Sequence, residues 1–133
     1  MRKSRIIFVG IHNKAGKEPL CSSTKTGKIV DEIAEQFAIN DHEVVKTNLY
    51  NIDSMPEGAT HAAILVADFF YRNKFAENDI VVLLGKDVQT VIPVMHTVSL
   101  LKLNHPSSVF GTEKRQAYIQ QAIQSINDRM LPY

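Results

Sequence analysis

The sequence predicts an α/β fold, three-layer αβα, in which a four-stranded parallel sheet of order 2-1-3-4 lies between two layers of helices. Three observations predict it. Short apolar runs alternate four times with stretches of helical period. The third run, Asp79-Ile80-Val81-Val82-Leu83-Leu84-Gly85, is almost continuously hydrophobic, as a strand covered on both faces must be. A chain of 133 residues, 44% hydrophobic and 22% charged, suits one compact domain, 1–133, with one core.

Taken in order, Arg5-Ile6-Ile7-Phe8-Val9-Gly10 is a β-branched and aromatic run ended by glycine, hence a buried first strand. The stretch after it, with His12, Asn13, Lys14, Gly16, Lys17, Pro19 and Ser22-Ser23-Thr24, holds too many turn formers for regular structure. From Thr26, read as the cap, Ile29, Ile33 and Phe37 recur at helical period to near Asn40. Residues 43–50 form the second strand, running into a loop with Pro56 and Gly58. Residues 59–74 make a helix apolar on most sides, with Phe69, Phe70 and Tyr71 assigned to the core. Residues 79–85 are the third strand, 86–92 a short helix and 100–103 the fourth strand. Residues 114–130 close the chain as a helix with a buried stripe of Ala117, Ile119, Ala122, Ile123 and Ile126.

Composition narrows the function. The single cysteine, Cys21, can form no internal disulfide and cannot by itself hold a metal or an iron–sulfur cluster. The apolar run behind the basic N-terminus is too short for a signal sequence or a membrane span, so a cytoplasmic protein without metal or cofactor is expected. Net charge is +1, but residues 1–28 hold seven Lys or Arg against one acid, Glu18. Such asymmetry is what a localised polyphosphate contact needs, although a solvated basic edge shows it too.

A parallel sheet binds ligands beyond the carboxyl ends of its strands, where the strand order reverses. The chemically capable residues fall there: His12 and Asn13 after strand one, Asn48 at the end of strand two, and His105-Pro106-Ser107-Ser108 after strand four. The expectation is that His12, Asn48 and His105 converge on one rim pocket. Ser107 and Ser108, read as the start of the last helix, offer hydroxyls and amides to an anion. Lys14, Lys17 and Lys25 add charge nearby. His61 and His96 are assigned structural or surface roles, and His42 the surface.

These residues resemble the uracil-DNA glycosylase superfamily over most of the chain and in the same order. Phe8-Val9-Gly10-Ile11-His12-Asn13 is similar to its first motif, a strand ending in glycine before the water-activating segment. Lys46-Thr47-Asn48 is similar to the strand that ends in its base-reading asparagine, and Ile80-Val81-Val82-Leu83-Leu84-Gly85-Lys86 to its third strand. His105-Pro106-Ser107-Ser108 resembles its second catalytic motif.

The resemblance implies a metal-independent enzyme that extrudes a base from DNA and hydrolyses its N-glycosidic bond. Asn48 then reads the uracil edge, its carbonyl accepting from N3–H and its NH₂ donating to O4, with Gly10 and Ile11 beside the base. His105 stabilises charge on O2 of the departing base, His12 or Asn13 handles the water, and Ser107, Ser108 and Lys14 hold phosphate. Two departures bear on this. The water-orienting Asp or Asn of the best-known members is replaced by His12, with Asn13 one residue along, and the stacking phenylalanine by Leu20 after Pro19. Val109-Phe110 is the candidate wedge. Three function classes follow: a glycosylase on uracil or another deaminated base in DNA, a small-nucleoside hydrolase of the same architecture, and a catalytically silent binder of nucleic acid or nucleobase.

Overall fold

The computed structural model describes residues 5–13 and 18–130. The chain alternates strand and helix as β1 (Ile6–His12), α1 (Lys25–Ala38), β2 (Val44–Tyr50), α2 (Ala59–Asn73), β3 (Ile80–Leu84), α3 (Lys86–Val91), β4 (Ser99–Leu103), a 3-10 turn (Pro106–Ser108) and α4 (Thr112–Arg129). The four strands are all parallel, in the order β2-β1-β3-β4. The predicted sheet and its order are therefore observed.

Side-chain alternation along β1 sorts the core into two layers. Ile6 and Phe8 join α1 and α4 residues such as Ile29, Ile33, Phe37, Ile119 and Ile126 on one face. Ile7 and Val9 join Phe69 of α2 and Val88 of α3 on the other. β3 is buried at all five positions, which explains its unbroken run of Ile, Val and Leu.

Several local expectations are corrected. β1 does not stop at Gly10 but continues to His12, which pairs with Tyr50, so His12 is strand-borne. The cap of α1 is Thr24 rather than Thr26: the Thr24 hydroxyl accepts from the Gly27 amide at 3.0 Å and donates to the Cys21 carbonyl at 2.7 Å. Phe70 and Tyr71 are 41% and 77% exposed, and only Phe69 of that trio is core. Ala117 is exposed, so the buried stripe of α4 begins at Ile119. His42 is half-buried, edge-on to Phe37.

The register positions the site. β1 and β3 pair from Ile6↔Ile80 to Val9↔Leu83, whereas β1 and β2 stay paired up to His12↔Tyr50. Beyond Val9 the two central strands are no longer paired, and a crevice opens at the carboxyl ends of the strands, where the strand order reverses.

Candidate functional site

The crevice starts at Gly10, opposite Asn48 in the β1–β2 register. A Cβ at Gly10 would lie 2.5 Å from Asn48 Oδ1 and 3.1 Å from Leu20 Cδ2, so the absent side chain makes room for the carboxamide and the leucine. Asn48 is 2% exposed. Its Nδ2 donates to Asn13 Oδ1 at 2.5 Å, and the Asn13 amide donates to the Ile52 carbonyl at 2.9 Å. Among the described residues Asn48 Oδ1 accepts no hydrogen bond, and it is not enclosed without a partner, so it faces the crevice. One N–H and the carbonyl of this amide remain for a ligand.

Two histidines share the cavity with Asn48 and have opposite hydrogen-bonding roles. His12 Nδ1 lies 2.8 Å from the carbonyl of Asn13, which can only accept, so Nδ1 carries the proton and Nε2 a lone pair. His105 Nδ1 accepts from the Ser107 amide at 3.1 Å, with Ser107 Oγ 2.7 Å from the same nitrogen. A backbone N–H can only donate, so in His105 the proton sits on Nε2. One ring is set up to accept a proton and the other to donate a hydrogen bond.

Gly10, Ile11, His12, Asn48 and His105 line one cavity of ≈ 210 Å³, and Glu18, Leu20, Cys21, Thr24 and Thr26 complete its lining. One water needs only about 10–15 Å³ of such space, so the cavity is large enough for a small planar ring. Leu20 supplies an aliphatic wall where a stacked ring would rest. A neighbouring cavity of ≈ 290 Å³ shares Ile11 and His105 and adds Lys86, Asp87 and Ser107.

Not every predicted residue enters the cavity. Asn13 is not in its lining and reaches it through Asn48. Ser107 and Ser108 do not begin α4, which starts at Thr112; they form the separate 3-10 turn. Their donors turn inward. Ser107 directs its amide and hydroxyl at His105 Nδ1, and Ser108 directs both of its own at the His105 carbonyl, at 3.0 Å and 2.7 Å. An anion here must replace one of these bonds. Lys25 donates to the carbonyls of Ser107 and Val109 and stands 4.2 Å above the Phe110 ring, tying the turn to α1. Lys14 and Lys17 lie outside the described residues. His61 Nδ1 accepts from the Glu57 amide, and His96 lines a separate cavity, away from this one.

Four further residues shape the site without having been singled out. Lys46 pairs with Asp31 and donates to Leu20 O at 3.0 Å and Ser22 Oγ at 3.3 Å, holding the Leu20 segment of the lining to β2. Tyr118 donates to the Asn104 carbonyl at 2.6 Å, fixing the residue before His105, and burial pushes its phenol above its ordinary value. Glu18 brings a carboxylate to the cavity, and Arg72 bonds to the end of β2 from α2. Only Glu18 carried a sequence signal, as the one acid in a basic head; the other contacts join residues distant in sequence.

Among the described residues, no group of three or more His, Cys, Asp or Glu could hold a metal ion, and no helix is long and apolar enough to cross a membrane. No family model matches the chain, and a search of curated proteins finds no match either.

Proposed function

We propose that the protein is a metal-independent DNA glycosylase of the uracil-DNA glycosylase type, hydrolysing the N-glycosidic bond of uracil or another deaminated base in the cytoplasm. The observation that carries this reading is the pairing of opposite tautomers in a crevice that also holds a buried amide: His12 accepting, His105 donating and Asn48 lining the same cavity.

With uracil seated against Leu20, Asn48 Oδ1 accepts from N3–H and its second Nδ2 hydrogen donates to O4. The His105 Nε2–H donates to O2 as the C1′–N1 bond breaks and its electron pair leaves with the base. Water attacks C1′, forming the new C–O bond, and its proton passes to His12 Nε2. Phe110, 70% exposed and under Lys25, enters the gap left in the duplex.

A second reading has its own support. Because all four donors of Ser107 and Ser108 point at His105, the turn favours a ligand without a tightly held phosphate, which fits a small-nucleoside hydrolase or a silent nucleobase binder.

Purified protein incubated with labelled oligonucleotides containing uracil, hypoxanthine or a mismatch, then treated with alkali, tests the proposal. Strand cleavage at the lesion is expected. Base release from free nucleosides alone points to the hydrolase, and binding without release to the silent binder.

A further inference from the structure

β2 is an outer strand, so among the described residues no further strand covers the far side of its end. The cover comes from α2. Arg72 Nη1 donates to Thr47 Oγ1 at 3.3 Å and Nη2 to the Asn48 carbonyl at 3.2 Å, while its Nε bonds Asp68 one turn back at 2.5 Å. Thr47 and Asn48 are 4% and 2% exposed, so the guanidinium grips two adjacent buried residues, one by its side chain and one by its backbone.

We propose that Arg72 is the positioning residue for Asn48 and sets the affinity of the crevice for a base; the inference rests on Asn48 being the base reader. The Asn48 amide enters from one side of β2, toward Gly10, and the fork closes on its backbone from the α2 side. A planar fork held by Asp68 fixes two acceptors at once, which a lysine ammonium cannot do in the same geometry. With the fork gone, the strand end and the attached carboxamide gain freedom, and a ligand must order them on binding.

The test uses the full chain and free uracil as probe, with side-chain amide signals followed by NMR. Arg72→Met is expected to shift the Asn48 and Asn13 side-chain signals and to weaken uracil binding on the order of tenfold, equivalent to about 1.4 kcal/mol. Arg72→Lys, which keeps the charge beside Asp68, is expected to restore little of it. Thr47→Val, which removes one acceptor and leaves Arg72 intact, is expected to give a smaller loss in the same direction. Unmoved Asn48 signals, or unchanged uracil affinity, in Arg72→Met overturn the proposal, and a fall in Tm alone makes Arg72 a strut for the strand edge. If Arg72→Met does not fold, Arg72→Lys and Thr47→Val decide by the same two readouts. Failure of the wild type to bind uracil removes the base-reader assignment instead, and the Asn48 signals alone then decide whether Arg72 holds that side chain.

Discussion

At position 10 a methyl group would fall 2.5 Å from Asn48 Oδ1, closer than any real Cβ contact, so Gly10→Ala is expected to drive the carboxamide out of the crevice. Loss of base binding by at least about tenfold, measured by uracil titration with little change in circular dichroism, checks this. The two histidines differ in what they contribute. On the proposed glycosylase mechanism His105→Ala removes the donor to the leaving base and is expected to lower base release on the order of a hundredfold to a thousandfold. Ser107→Ala leaves the Ser107 amide on His105 Nδ1 and is expected to cost far less. His12→Asn restores the residue type that the glycosylase resemblance leads one to expect. It is expected to keep or raise base release, measured with the uracil oligonucleotide, because an amide at this position can still orient the water. No base release from wild type or His12→Asn points instead to the silent binder.

At the scale of elements, what the sequence disclosed was set by local pattern. β3 was legible because burial on both faces leaves no polar position, and the site loops because they stand directly beyond apolar runs. Errors came where pattern is silent. Phe70 and Tyr71 lie in a helix apolar on nearly every side, so periodicity could not say which ring faces inward. Thr24 and Thr26 are equivalent as caps by composition, and the choice falls to Thr24 through its bonds to Cys21 and Gly27. Arg72 reaches Thr47 and Asn48, and Lys46 reaches Leu20, Ser22 and Asp31, only after the layers assemble, so no local signal marks those contacts. Thr24→Ala is expected to destabilise the protein by about 1 kcal/mol through loss of the cap, readable in urea denaturation, and to loosen the Leu20–Cys21 wall. Tyr118 gives a pH test. Its folded pKa is raised by burial above the unfolded value, so its contribution is intact below pH about 10 and is lost as pH rises past it. Tyr118→Phe is expected to flatten the alkaline end of the stability profile. An unchanged profile means that the phenol ionises as readily folded as unfolded.

For the whole molecule, the base of the sheet is held by Arg5 and Asp79, 74 residues apart and just outside the two central strands. Asp79 is 0% exposed and receives Arg5 Nη2 at 2.7 Å and the Ala76 amide at 2.7 Å, while Arg5 also donates to the Asn73 carbonyl. Arg5→Ala leaves that carboxylate buried without its cation and is expected to destabilise by about 3–5 kcal/mol. A loss under 1 kcal/mol in denaturant titration would show that water replaces the guanidinium. The same pairing has a temporal consequence. On a ribosome adding about 5–20 residues per second, Ile80 follows Ile6 by roughly 4–15 s. During that interval the nascent chain can pair β1 only with β2, and the flank of β1 that β3 will cover stays open. The most hydrophobic strand of the sheet thus arrives to fill a slot already waiting, and a translational pause before it would prolong the period in which a chaperone or another nascent chain can occupy that slot first.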